Sequence, residues 1–352
     1  MAAAVIRTFE DFREAVSRFR LPRILLTALE LKLFTAIGTG RRTVPALARR
    51  LRVSSRGLEI LCRNLGSAGL LLRQGEAYRN GPLARTLLNA GHRLHRGAYL
   101  DLIKSQWDDW SHLTKVVRRG RPLPFENPDE PAYLKRFSWA MHQRALDTAR
   151  AVVAQVKLHG AGTLLDLGGG PGTYALEFLA RHPSLKATLC DRAPALEVGR
   201  AIARSVRHGT RLSYLPLDFM KRPVPGRYDV IWFSNVLHIY GPAENQRLFR
   251  RLRCALNPGG RLFIHDAFLL DRNGFHPAEA NLFAVTMLLV TERGNTYRAD
   301  DTARWLRAAG FGPVRRVRLR PGTGDWEGGL LTARAPGPHR RSRARRRGSA
   351  QN

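Results

Sequence analysis

Between residues 5 and 37 apolar side chains recur at three- and four-residue spacing: Phe9, Phe12, Val16 and Phe19, then Ile24, Leu25, Ala28, Leu29 and Leu33. That period predicts helices with a wide apolar face, interrupted at Pro22. Thr43 and Ser54 stand at N-cap positions ahead of helical patterns that run to Leu51 and Leu65, and Gly66 and Gly69 end the second. Two short runs at 70–73 and 77–79 then read as a hairpin. Helix, turn, helix and hairpin make a winged helix, a unit that binds DNA in regulators and dimerises some enzymes. This stretch alone does not separate those uses.

Past the proline-rich connection at 120–131 the pattern changes. A helical period over about 132–158 leads into short apolar runs near 163–167, 186–191, 211–216, 228–234 and 260–268, with helical patterns between them. Strands buried on both faces and alternating with helices predict an α/β fold, a doubly wound and mostly parallel sheet. It follows an all-α or winged-helix domain. The expected divisions are 1–120 for the winged-helix domain, 121–160 for a linker and connecting helix, 161–334 for the sheet domain, and 335–352 for a disordered basic tail.

Composition narrows the class. The 352 residues are 44% hydrophobic and 25% charged, as in a folded protein, and no apolar run nears the ~20 residues of a membrane span. The first residues run straight into Glu10, Asp11, Arg13 and Glu14, unlike a signal peptide, so a cytoplasmic location is expected. Cys62, Cys190 and Cys254 lack ligand spacing, and no metal is expected. The net charge of +31 comes almost wholly from arginine, spread through every helix. That distribution fits compositional bias better than a nucleic-acid footprint, so any such binding is expected to be non-specific and through the tail.

The chemistry begins at Asp166-Leu-Gly168-Gly-Gly170-Pro-Gly172, which closes the first strand of the sheet half. A glycine turn between a buried strand and a helix lets a ligand approach bare backbone at the helix head. Its spacing, with Pro171 inside, differs from the dinucleotide fingerprint. Asp191 ends the next strand, about 20 residues on, where a carboxylate accepts hydrogen bonds from ribose hydroxyls. Asp218 with Phe219 follows the third strand, an acid beside an aromatic ring that suits adenine.

Together these residues resemble the class I S-adenosylmethionine-dependent methyltransferases, in the branch of acetylserotonin- and caffeate-type O-methyltransferases, over nearly the whole chain. The resemblance implies a seven-stranded sheet half that binds S-adenosylmethionine and a winged half that forms a homodimer. It implies that Asp166, Gly168, Gly170 and Gly172 shape the pocket for the amino-acid and ribose portion. Asp191 would bind the ribose, Asp218 and Phe219 the adenine, and Ser234 would add a further contact. The turn at 257–260 is also familiar from that family.

Methyl transfer to a phenol with pKa ~10 is eased by a base that takes the proton as the bond forms. His238 lies just past a strand end, where such folds bind ligands. The resemblance implies that it is the general base, with Asp266 the acid beside it. Ile239 and Tyr240 depart from the family's aspartate and tryptophan, and Asn295 falls near a family glutamate. For a small aromatic substrate the resemblance implies walls from Trp107, Trp110, Phe137, Met141, Asn235, Asn281, Phe283 and Met287. Two alternatives remain: methylation of nitrogen or carbon, and a winged-helix DNA-binding protein that senses a ligand.

Overall fold

The computed structural model describes residues 5–124, 129–320 and 329–337. The chain begins with α1 (Phe9–Ser17), α2 (Arg20–Glu30) and α3 (Leu33–Ile37). Thr8 and Asp11 exchange hydrogen bonds in a capping box that starts α1. Pro22 breaks nothing: it sits in the first turn of α2, where its missing N–H has no helical partner to lose. The interruption falls earlier, between α1 and α2.

β1 (Arg41–Thr43), α4 (Val44–Leu51), α5 (Ser55–Ser67), β2 (Leu71–Gln74) and β3 (Ala77–Asn80) follow. Ser54 caps α5 by accepting from the Gly57 N–H at 3.3 Å, whereas Thr43 holds the cap position of α4 with no side-chain bond. β3 pairs antiparallel with β1 and β2, so the expected hairpin belongs to a three-stranded sheet. The buried Asn80 amide donates to the carbonyls of Phe34 and Gly38 at 2.8 and 2.9 Å and ties this sheet to α3. Leu33, Phe34, Leu47, Leu65 and Leu71 fill the core beneath it.

Next come α6 (Gly97–Ser111), α7 (Leu113–Arg119) and α8 (Pro131–Val153). The N–H of Tyr99 on α6 donates to Oε1 of Gln143 on α8 at 3.1 Å. α8 stops short of the expected 158, and its Ala149, Val152 and Val153 are buried in the core of the large sheet. The expected connecting helix is thus also a cover for the sheet.

The remaining order is β4 (Thr163–Leu167), α9 (Thr173–Arg181), β5 (Lys186–Asp191), α10 (Ala193–Ala203) and β6 (Leu212–Pro216). After these come β7 (Tyr228–Ser234), α11 (Pro242–Cys254), β8 (Leu256–His265), β9 (Phe268–Leu269), α12 (Ala278–Val290) and β10 (Tyr297–Arg298). α13 (Ala299–Ala308), β11 (Val314–Val317) and β12 (Leu330–Arg334) close the fold. The seven-stranded sheet runs β11-β12-β8-β7-β4-β5-β6. β6, β5, β4, β7 and β8 are parallel, while β12 is antiparallel to both neighbours. The sequence reading contained neither β11 nor β12, nor the separate β9–β10 pair.

Strand residues alternate between two apolar layers. Leu164, Trp232, Phe263 and Leu330 pack under α8, α9 and α10, and Leu165, Ile231, Ile264 and Leu331 under α11 and α13. From β4 the chain builds outward to β6 and then returns to β7 on the other side. The connections diverge there, and a crevice opens beyond the carboxyl ends of β4 and β7. At the opposite end, Ala335 is buried and its N–H donates to the Gly260 carbonyl at 2.8 Å, while the Gly259 N–H donates to Pro336. Residues 335–337 of the tail expected from 335 thus belong to the described fold, and the rest of that expected tail, from 338 onward, lies outside the described residues. Among the described residues, no helix is long and apolar enough to cross a membrane.

Candidate active site

The glycine loop joins β4 to α9 with a left-handed backbone at Gly168, Gly170 and Gly172 (φ +68°, +52° and +72°). At Gly168 a Cβ would meet Val236 at 2.8 Å, so the loop lies against the chain leaving β7. At Gly170 the same Cβ would meet nothing within 4 Å, and the backbone opens on free space. Asp191 holds this position, its Oδ2 accepting from the Gly170 N–H at 2.8 Å and its Oδ1 from its neighbour Arg192 at 2.7 Å. Burial pushes its carboxyl above the usual range, against the pull of the Arg192 and Gly170 amides.

Asp166 is folded under the loop. It is buried, accepts from the Ala175 N–H at 3.2 Å, and burial pushes its carboxyl up to about 7. It shapes the loop from beneath. On the far side, Phe219 lies against the loop, 3.4 Å from where a Gly168 Cβ would stand, and edge-on to Tyr240 at 6.4 Å. Asp218 accepts from the Met220 N–H at 3.0 Å and pairs with Lys221 at 3.4 Å.

His238 sits in the helical turn Leu237–Ile239, and four bonds hold that turn's backbone. The Asn245 amide donates to Leu237 and Tyr240 at 3.0 and 2.9 Å, the Tyr297 hydroxyl to Tyr240 at 2.6 Å, and the Asn295 N–H to His238 itself at 2.9 Å. The last approach is so close that a Cβ on Gly294 would lie 2.4 Å from the His238 carbonyl. The imidazole is fixed as well. Nδ1 lies 2.8 Å from Oδ1 of buried Asp266, and the ring meets Phe283 of α12 edge-on at 4.6 Å. An ionised carboxylate only accepts, so against one a neutral imidazole would carry its proton on Nδ1 and keep the lone pair on Nε2. Nε2 bonds to no described residue.

Ser234 and His265 pair across β7 and β8, with Oγ 3.1 Å from Nδ1. His265 is wholly buried, stacked on Trp232 and within 3.5 Å of the Tyr174 hydroxyl. Burial, with the charge of Arg144 reaching in from α8 and against that of Asp266, pushes its imidazole down to about 4. Asn235 follows with a left-handed backbone (φ +56°), and its amide donates to Ser234 at 3.1 Å.

The residues expected as substrate walls separate. Asn235 stands beside Ser234, and α12 brings Phe283 onto His238 and carries Asn281 and Met287, of which Met287 is buried. Met141 is half-buried on α8, while Trp110 and Phe137 keep 36% and 38% of their surface exposed and Phe137 stacks on Tyr133. Trp107 lies on α6 with the Arg23 guanidinium from α2 over its ring at 5.4 Å. Sequence reasoning missed His265, Asn245, Arg144 and Gly294. Only Gly294, a lone glycine next to Asn295, left a local signal.

A family model described as the O-methyltransferase domain matches residues 110–312, and one for the O-methyltransferase dimerisation domain matches 14–90. The chain is 30% identical to the 3-hydroxy-5-methyl-1-naphthoate 3-O-methyltransferase of Streptomyces sahachiroi, over 84% of this chain and 87% of that one. It is 29% identical to the acetylserotonin O-methyltransferase of Mus musculus molossinus, over 96% and 91%. Among solved structures, the mitomycin 7-O-methyltransferase aligns with a TM-score of 0.74 at 26% identity, over 92% of this chain and 96% of that one. Human N-acetylserotonin methyltransferase in complex with SAM shares the fold, with a TM-score of 0.80 at 22% identity over 96% and 100%.

The depressed His265 generates a prediction about acid stability. The unfolded chain takes up this proton near pH 6.5 and the folded one only near 4, so the stability His265 contributes is present above 6.5 and lost as pH falls through 4. Asp166, raised to about 7, works in the opposite sense, so wild type and His265→Gln must be compared. Denaturant unfolding at pH 7 and pH 4.5 should show wild type losing up to about 3 kcal/mol more than the variant. Equal losses would mean that the folded protein protonates His265 readily.

Proposed function

The chain belongs to the O-methyltransferase family, and on that premise we propose that it moves the methyl group of S-adenosylmethionine to a hydroxyl of a small aromatic compound, with His238 as general base. The observation that carries this reading is the buried His238–Asp266 bond at 2.8 Å, which leaves Nε2 as a lone-pair acceptor beyond the carboxyl end of β7. Relatives named for a hydroxynaphthoate and for acetylserotonin support an aromatic acceptor. The ring of Phe283 beside His238 offers a flat apolar neighbour for one.

The glycine loop fits the methyl donor. Gly170 presents bare backbone and open space at the head of α9, as the polar end of such a ligand requires. Asp191, already turned toward Gly170, would accept the ribose hydroxyls. Asp218 and Phe219 would take the adenine, and Ser234, oriented by His265, the remaining contact. When bound, the sulfonium supplies an electrophilic methyl group open to in-line attack.

The protein's own part is to position groups and move one proton. Asp266 holds the imidazole tautomer, and the four bonds on the turn hold its place. Nε2 removes the acceptor's hydroxyl proton as the new bond forms, and Asp266 stabilises the imidazolium that results. Ile239 and Asn295, which replace acids of the resembled family, leave Asp266 as the carboxylate that contacts the base.

We read residues 9–80 as the winged-helix unit and assign it to dimerisation. Phe9, Phe12, Val16, Phe19 and Leu21 each expose half or more of their surface, an apolar stripe suited to a second copy. Substituting Phe9, Phe12 and Phe19 together with serine spares the core residues that begin at Leu26 and should yield a folded monomer by light scattering. An unchanged dimer would refute the assignment.

Asp191→Ala should weaken S-adenosylmethionine binding by roughly tenfold to a hundredfold in calorimetry, since it removes charge-assisted hydrogen bonds. Unchanged affinity would remove the ribose role. His238→Ala should lower kcat by ~10²–10⁴ with cofactor affinity preserved, and His238→Gln should not restore it, because an amide cannot take the proton. Asp266→Asn should also lower kcat, since an asparagine amide aimed at Nδ1 moves the ring proton to Nε2. A His238→Ala enzyme turning over at the wild-type rate at neutral pH would sink the base assignment.

A further inference from the structure

A second pocket lies at the end of the sheet opposite the crevice. Antiparallel partners share a face, and Arg261 of β8 stands in register with Arg334 of β12. Thr332, two residues before Arg334, pairs with Phe263 on one side and with Arg315 of β11 on the other. Alternation therefore puts Arg261, Thr332, Arg334 and Arg315 on the same face of three adjacent strands. They line one open pocket of about 270 Å³ together with His159 and Pro313.

Like charges facing each other across a strand pair destabilise it unless a counter-charge intervenes. No carboxylate lines this pocket, and among the described residues no ion pair involves Arg261, Arg315 or Arg334. The Arg261 guanidinium lies over the Phe263 ring at 5.3 Å and donates to the Lys157 carbonyl at 2.9 Å, which fixes one guanidinium while leaving others of its N–H groups for a ligand. Burial and the charge of Arg334 lower its affinity for its own proton, so the mutual repulsion is felt.

We propose that this pocket is an oxyanion site that takes a phosphate group. Three arginine side chains on one pocket, Arg315 and Arg334 of them exposed, supply planar donors and neutralising charge, and the Thr332 hydroxyl a further donor. The phosphate can be the free ion or the phosphoryl end of a small metabolite.

The test uses the full chain. Wild type, Arg315→Gln, Arg334→Gln and the control Arg222→Gln, at an exposed site outside the pocket, are melted in inorganic phosphate and in chloride at equal ionic strength. Phosphate should raise Tm beyond chloride in wild type and control, and both pocket variants should lose that increment. Calorimetry should show phosphate affinity falling about tenfold or more in each pocket variant. Arg261 is left intact because it also supports the Lys157 carbonyl. Glycerol 3-phosphate forms a second arm: an equal increment identifies a phosphoryl group as the unit bound, and an increment from inorganic phosphate alone restricts the site to the free ion. Loss of the increment in the control as well, its persistence in both pocket variants, or equal effects of phosphate and chloride would overturn the proposal.

Discussion

The bond between His238 and Asp266 is the interaction on which the rest of the site depends. A carboxylate with about one per cent of its surface exposed is costly to bury, and it persists only where donors converge on it. Asp266 accepts from His238 and from the Ala267 N–H at 2.8 Å. Its own N–H donates to Gly329, just before β12. The residue that leads into β12 therefore also anchors the acid's backbone. The opposite partner is held as firmly by Asn245, Asn295 and Tyr297, so neither end of the bond can adjust without breaking buried hydrogen bonds.

Around that bond the crevice is organised by burial of acids. Asp166 and Asp191 end neighbouring strands on either side of the glycine loop, and burial pushes both carboxyls upward. Asp166 spends its hydrogen bonding on the loop from beneath, whereas Asp191 reaches Gly170, where the backbone faces open space. The same residue type near two strand ends thus does different things, one shaping the backbone from beneath and one lying at the open side of the loop.

Legibility in the sequence followed the range of each interaction. The glycine loop, Asp191 and the turn with His238 could be read because each needs a particular residue at a particular step of a strand-to-helix connection. Ser54 capped as its position implied, but Thr43 did not, because a cap bond depends on a rotamer that no spacing encodes. Pro22 was read as a break because proline is tolerated in a first turn only once the helix start is known. β11 and β12 are short, and β12 is recognisable only by its partner, since Leu330–Arg334 acquires meaning from its register with β8. His265 reaches Ser234 and Tyr174 across 31 and 91 positions and Asn245 reaches Leu237 and Tyr240 across 8 and 5, and composition is silent about them.

His265 and Asp266 are consecutive residues, yet one bonds Ser234 at the end of β7 and the other bonds His238 in the turn that follows. A single peptide unit is thus the common datum for both side chains. Any shift of that peptide would carry the partners of Ser234 and His238 together. On the proposed assignment of Ser234 to the methyl donor and His238 to the acceptor, the covalent geometry of one peptide bond ties the two sides of the crevice to each other.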